Sequence, residues 1–325
     1  MKNIQRRLFQ LPQLFALLAI AWLCRLEACP IPVYQYALEH WPADPYTLEV
    51  ALAENLSGEE LAAWKSLQEL QKSEKRDINL EIRTAKTESA QSKPAASSKL
   101  RLFYPNRSRN KLPLWEAALN PANVAALLDS PLRQKISKAL AMRTSVVWIL
   151  MLSDNPRQDK KTKRMVEENI EQLRAAIVIP EQADWGGELM NLDFEVEFKL
   201  FTVSRKDPAE KVFLSMLLGS EPDLASDYHD EALLFPIFGR GLLLYALVAE
   251  GINSWTLSKA VGFLTGSCSC QVKAANPGLD LLLKMPWNDV VEPMTPPSVG
   301  GQVGADQFFR AQAAQQELEA EAAKK

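Results

Sequence analysis

Ser145-Val-Val-Trp-Ile-Leu-Met-Leu152 is a short apolar run rich in β-branched and aromatic residues, the composition of a strand buried on both faces. Its surroundings decide the fold. Asn155-Pro156 supplies an N-cap and a proline at the first helical position, with Gln158 placed as in a capping box. Val166, Ile170, Leu173 and Ile177 then recur at helical spacing, so one face of that helix is apolar while Lys160, Lys161, Glu167 and Glu171 lie elsewhere. That face is expected to pack on a sheet.

Working outward, Phe194, Val196, Phe198 and Leu200 alternate with Glu195, Glu197 and Lys199 and predict a strand with one polar side. Asp207-Pro208-Ala209-Glu210 opens a second capped helix carrying Phe213, Met216 and Leu217 on one face. Ala232 to Phe238 and Leu242 to Val248 follow as a hairpin, because Gly239 and Gly241 of the turn Gly239-Arg240-Gly241 can take positive φ. Leu257, Ala260, Val261 and Leu264 make a last helix that stops at Gly266.

A parallel βαβ unit joined to a ββα unit, from Ser145 to Cys270, resembles the thioredoxin-like fold. In redox-active members a Cys-x-x-Cys stands between the first core strand and its helix, where the helix N-terminus lowers the pKa of the leading thiol. Here that place holds Ser153-Asp154-Asn155-Pro156, so the resemblance implies the fold without disulfide exchange at that corner. Pro236 falls near the position of that fold's cis-proline. His229, in the polar stretch Ser226-Asp-Tyr-His-Asp-Glu231, falls near the place where such proteins bind partners. With Arg240 they make a candidate partner-binding loop, in which His229 reads either as a base beside Asp227 or Asp230 or as a solvated residue.

The first half repeats the order. Tyr46 to Leu52 predicts a strand, Ser57-Gly-Glu-Glu60 a capping box ahead of a helix, and Ile78, Leu80 and Ile82 a second strand. Glu88 to Ser98 is a linker or exposed loop in place of the next helix, followed by a hairpin from Leu100 to Ala117 and helices opened by Asn120-Pro121 and Ser130-Pro131. Ala53-Glu-Asn-Leu-Ser57 again offers no cysteine. The expected fold class is α/β, two thioredoxin-like domains in tandem with mixed β-sheets flanked by helices. Its divisions are a signal peptide at 1–28, an N-terminal segment at 29–45, a degenerate thioredoxin-like domain at 46–142, a second at 143–273, and a flexible Pro/Gly-rich and charged tail at 274–325.

Lys2, Arg6 and Arg7 precede an apolar stretch from Leu14 to Cys24, and Ala28 stands before Cys29, as in a cleaved export signal. Leu26-Glu27-Ala28-Cys29 also resembles a bacterial lipoprotein box, which makes Cys29 a candidate for lipidation. Removing the signal leaves Cys29, Cys268 and Cys270, an odd number for an oxidising compartment. Three arrangements stay open: Cys29 bridged to one of the other two, a Cys268–Cys270 disulfide with redox activity, or a soft-metal site on that pair.

The stretches Cys29-Pro-Ile-Pro-Val-Tyr-Gln-Tyr-Ala-Leu-Glu-His-Trp-Pro-Ala-Asp-Pro-Tyr46, Phe238-Gly-Arg-Gly241 and Cys268-Ser-Cys-Gln-Val-Lys273 resemble an uncharacterised family of exported bacterial proteins. The resemblance implies an envelope location: periplasmic, or membrane-associated on the outer side of the inner membrane through a lipidated Cys29 or an uncleaved N-terminus. Tyr34, Leu38 and Trp41, at helical spacing, predict a short helix packed on the body.

A net charge of −3 is far from the strongly basic footprint of a nucleic-acid binder. The local excess of Lys and Arg between Lys72 and Lys111 reads either as a solvated loop or as a patch for anionic lipid or an acidic partner. No Gly-x-Ser-x-Gly, Gly-x-x-x-x-Gly-Lys or His-Glu-x-x-His occurs in the chain, so no catalytic residue, metal or cofactor is assigned. Two functions follow: a non-catalytic interaction or assembly module with a protein partner in the envelope, or a thiol-disulfide or soft-metal-handling protein using Cys268 and Cys270.

Overall fold

Val146–Met151 is a strand with every residue buried, lying between a parallel neighbour and an antiparallel one. Its alternate residues feed different cores. Val147, Ile149 and Met151 join one apolar cluster, while Val146, Trp148 and Leu150 join a second on the other face.

The computed structural model describes residues 29–73, 77–85, 97–108, 110–177, 195–268 and 273–291. The expected signal peptide, Cys270 and residues 292–325 lie outside the described residues, as does most of the expected linker. In chain order the elements are β1 (Cys29–Pro32), α1 (Val33–His40), β2 (Tyr46–Ala51), α2 (Gly58–Lys72), β3 (Leu80–Thr84), β4 (Lys99–Phe103), β5 (Trp115–Ala118), α3 (Pro121–Leu128) and α4 (Pro131–Ala141). There follow β6 (Val146–Met151), α5 (Pro156–Ala176), β7 (Phe198–Val203), α6 (Lys211–Leu218), β8 (Leu233–Phe238), β9 (Leu242–Leu243), β10 (Leu247–Val248), α7 (Ser254–Thr265), β11 (Ser267–Cys268), β12 (Leu279–Asp280) and α8 (Trp287–Val290).

The chain is α/β, with two mixed sheets flanked by helices. One sheet runs β3-β2-β4-β5, the other β12-β9-β8-β6-β7 with β10 beside β8, and β1 pairs β11 separately. In each large sheet the opening strand has a parallel partner on one side and an antiparallel hairpin on the other.

Local chemistry accounts for most element starts. Ser57 and Glu60 close a capping box on α2, Asn120 and Ser130 cap α3 and α4 ahead of a proline, and Asn253 caps α7. At α5 only half of the expected box forms: Asn155 accepts from the Gln158 N–H, while the Gln158 amide reaches Glu231.

Three expectations are corrected. The strand expected from Phe194 begins at Phe198, because its parallel register with β6 pairs Val146 with Phe198 and Met151 with Val203. The second hairpin strand is broken into β9 and β10. Pro236 turns its carbonyl to the Leu244 N–H at 3.0 Å, so its nitrogen, which carries no hydrogen, faces the same strand and cannot continue that ladder. The register slips by one residue there, from Ile237 opposite Leu243 to Leu234 opposite Leu247, and the Glu221 carboxylate accepts from the Ala246 N–H at 2.8 Å. Finally, the flexible stretch expected from 274 is ordered core as far as Val291, for Leu281, Leu282 and Leu283 are at most 1% exposed.

Those leucines form a seam between the sheets. Three consecutive buried residues leave the backbone no water to bond, so each polar group needs a protein partner. Asn79 supplies two: its amide donates to the Leu281 carbonyl and accepts from the Leu283 N–H, both at 3.1 Å, as a neighbouring strand would. The Tyr46 hydroxyl donates to the Asp280 carbonyl at 2.8 Å, and the Leu281 N–H donates to the Gly241 carbonyl at 2.9 Å. Arg133, fully buried on α4, donates to Leu282, to Leu127 and Ala126 at the end of α3, and to the Ser130 hydroxyl. Burial lowers its pKa to about 10, opposed by the nearby Asp129 and Glu210 carboxylates. One apolar cluster therefore runs from Leu48 and Leu102 of the first sheet to Val147 and Ile149 of the second.

Arg133→Met is expected to lower stability in urea unfolding by roughly 3 kcal/mol, since three carbonyls lose their donor and Glu210 loses a cationic neighbour. Arg164→Ala, which removes only an exposed pair with Glu168, should leave the unfolding midpoint unchanged.

Candidate functional site

The three stretches that carry the sequence resemblance meet in space. β1 runs antiparallel to β11 with Cys29 opposite Cys268, and the Val33 N–H donates to the Gly266 carbonyl at 3.1 Å. α1 then buries Val33, Tyr34 and Ala37 in the second apolar cluster, with Trp41 closing its end, as the helical spacing predicts. The Gly239 turn docks directly on it: a Cβ at Gly239 would stand 2.8 Å from that of Ala37, and its φ of +58° also favours glycine.

Arg240 fixes the end of this helix. Its Nε donates to the Leu38 carbonyl at 2.8 Å and Nη2 to Glu39 at 3.1 Å, so a cation meets the carbonyls that a helix C-terminus leaves unbonded. Nη1 donates to Asn288 on α8 at 2.9 Å, and burial lowers the guanidinium pKa. Beyond the helix, Lys273 donates to the Pro42 carbonyl at 2.6 Å and stands 2.6 Å from Asp280 and 3.1 Å from Asp44. Burial pushes the Asp280 carboxyl up to about 6, with Lys273 pulling the other way.

Beside this assembly lies a cleft of about 910 Å³, walled by Pro42, Ala43 and Pro45, by the end of α2, by β3, by Arg240 and by Met285 to Asp289. β3 is the edge strand of its sheet. The bonds Tyr46 N–H to Asn79 and Ala85 N–H to Val50 set the phase of the ladder, so Leu80, Ile82 and Thr84 turn their backbone groups away from β2. The Gln71 amide takes the Ile82 carbonyl at 3.1 Å.

Both strand-to-helix corners are filled by internally bonded polar groups. After β6, the buried Asp159 accepts from the Ser153 N–H and hydroxyl, each at 2.8 Å, and Ser153 accepts from the Asn155 N–H. After β2, Glu60 accepts from the Ser57 and Ser98 N–H groups, and these bonds lower its pKa to about 2.

The expected partner-binding loop does not assemble. His229 is exposed on a turn before β8, its Nδ1 3.0 Å from the Ser226 carbonyl, Pro236 is buried inside β8 opposite Trp148, and Arg240 lies past the strand's far end. A six-residue strand separates the two ends, and burial withdraws Pro236 from any partner. Within the basic stretch, Arg83 pairs with Glu81, Arg101 stands 3.7 Å from Glu116, and Arg107 donates to the Ala274 and Asn276 carbonyls. Among the described residues no group of three or more His, Cys, Asp or Glu could hold a metal ion, and no helix is long and apolar enough to cross a membrane.

Lys273 closes the stretch Cys268–Lys273, and its role is set by partners distant in sequence, Pro42 and Asp44. Asp280 carries the one sequence signal for them: a lone carboxylate within the apolar run Leu279-Asp-Leu-Leu-Leu283 needs a buried cation. No protein-family model matches the chain, and no curated protein matches it.

The unfolded Asp280 carboxyl titrates near 3.8 and the folded one near 6, so the folded state takes up the proton first as pH falls. This group's contribution to stability is therefore greatest below pH 4 and is lost as pH rises through 6. Measured against Asp280→Asn, wild type should lose roughly 2 kcal/mol between pH 4 and pH 7. A carboxyl carbon resonance of Asp280 should titrate near 6 by NMR.

Proposed function

We propose that this chain is an exported cell-envelope protein acting as a non-catalytic interaction or assembly module, built on two tandem thioredoxin-like units that do no redox chemistry at their usual corners. The cleft along β3 carries this reading. Its walls come from the edge strand of the first sheet, the end of α2, residues 285–289 and the N-terminal segment, and they set Arg240, a residue type enriched at protein interfaces, beside an outward-facing strand edge. It is fitted to an extended segment of a protein partner, which would lie along an edge strand on which, among the described residues, Gln71 takes the Ile82 carbonyl and the Leu80 N–H turns back on the Ile78 carbonyl.

The matching strand orders of the two sheets, each with a parallel βαβ start and an antiparallel hairpin, support the tandem reading. The departures are the added β12 and a core shared across the seam. The filled corners support a role other than disulfide exchange there: the N-terminus of α5 already bears Asp159 and an Asn155 cap, so it would stabilise a partner's thiolate weakly.

A photo-crosslinking amino acid placed at Glu81 or Asp289, both on the cleft, should capture the same envelope protein from either site, while one at exposed Lys163 on α5 should not. Equal capture from Lys163, or none from the cleft, sinks the docking site. Fractionation should find the tagged full chain in the envelope with residues 1–28 removed, and retention in the cytoplasm overturns the location.

A further inference from the structure

The backbone geometry points to a disulfide between Cys29 and Cys268, a clasp that fastens the beginning of the exported chain to the end of α7 and leaves Cys270 as the third thiol; the oxidising setting rests on the export reading above. β1 and β11 set Cys29 and Cys268 directly opposite one another as antiparallel partners. Residues so paired have Cα atoms roughly 4.5–5.5 Å apart, inside the range of roughly 4.4–6.8 Å that a disulfide spans.

The two short strands are held in place from outside. Val33 bonds Gly266, Arg240 grips the end of α1, and Lys273 ties the far side of the cysteine stretch to Pro42, Asp44 and Asp280. The cysteines are thus aligned by contacts that do not depend on the bond itself. A Cys268–Cys270 bridge, by contrast, closes a ring with one residue between its ends, a strained arrangement that would compete for the partner of Cys29. Joining residues 29 and 268 closes nearly the whole described chain into one loop, and constraint of the unfolded state grows with loop length.

The bond forms by exchange with an external disulfide. A thiolate of the pair attacks one sulfur of that disulfide and releases its other half as a thiolate. The second protein thiolate then displaces the remaining half, so two protein thiols are oxidised and one small-molecule disulfide is reduced to two thiols. A sulfur in this bond cannot also carry a thioether-linked lipid, so the clasp and lipidation of Cys29 exclude each other.

The test is a peptide map of the full chain purified from the envelope, alkylated before any reduction. It should contain a Cys29–Cys268 cross-linked peptide with Cys270 alkylated. A Cys268–Cys270 link, or a diacylglyceryl group on Cys29, overturns the proposal. Protein made in a reducing cytoplasm and treated with glutathione disulfide separates this inference from the location: bridging there supports the clasp even if export fails, and failure to bridge sinks it. Reduction should speed protease cleavage within 29–45 roughly tenfold in wild type and in Cys270→Ser. Cys268→Ser should already cleave at the fast rate, and an unchanged rate on reducing wild type counts against the clasp.

Discussion

Burying three consecutive leucines between two sheets imposes the constraint on which the architecture depends. Leu281 to Leu283 gain apolar contacts on both sides, but their peptide groups leave water, and an unbonded buried amide or carbonyl costs of the order of 1–3 kcal/mol. Asn79 resolves this by presenting a side-chain amide in the geometry of a neighbouring strand, while Arg133 and Tyr46 serve carbonyls on either side. The seam thereby turns two similar sheets into halves of one core. The same residues explain why α3 and α4 are tightly joined: Arg133 spans from the end of one to the seam, and Glu210, reaching from beyond β7, accepts from the Ser130 hydroxyl and the Leu132 N–H at the start of α4.

The N-terminal segment is held against this core by the buried side chains of α1 together with charge and backbone bonds. Glu39 turns into the protein, where it accepts from Gln35 and from Arg143 Nη1 at 3.1 Å, and Arg143 stands at a φ of +63° at the turn from α4 into β6. A non-glycine residue in that conformation is retained where its side chain is fixed by a partner. The segment thus reports on the β6 turn through Glu39, on the β8–β9 hairpin through Arg240, and on the seam through Lys273 and Asp280. Its end forms a wall of the cleft, so anything that loosens it alters the place where a partner would dock.

Much of this was legible from residue order. The β6 run, the caps at Ser57, Asn120 and Ser130, and the glycine turn at 239–241 each act through a few neighbouring residues, and each stands where its pattern put it. What was hidden acts over long separations. Asn79 sits in an alternating strand pattern where a polar residue is unremarkable, and its partners lie about 200 residues away. The break between β9 and β10 was in principle visible, since Pro236 cannot donate, but only the strand order shows that its nitrogen faces the hairpin partner instead of β6. The sequence placed His229, Pro236 and Arg240 within one short span, and a straight strand carried the first and last to opposite ends.

The corners and the cleft differ in how their backbone polar groups are used. A helix N-terminus after a buried strand offers unbonded N–H groups and a partial positive charge, which is why thiolates and anions are bound at such places. At α5 that potential is already used: Asn155 takes an N–H, and the Asp159 carboxylate in the first turn lies buried against Ser153. At α2 the same work is done by Ser57 and by Glu60, whose carboxyl pKa is lowered by the N–H bonds it accepts from Ser57 and Ser98. At both corners the named N–H groups are thus already bonded within the protein. The β3 edge differs, because alternate backbone groups there point outward and, among the described residues, Gln71 of α2 takes the Ile82 carbonyl while the Leu80 N–H bonds the Ile78 carbonyl. Recognition by this fold would then draw on main-chain pairing and apolar contact, which favour an extended polypeptide over a small anion.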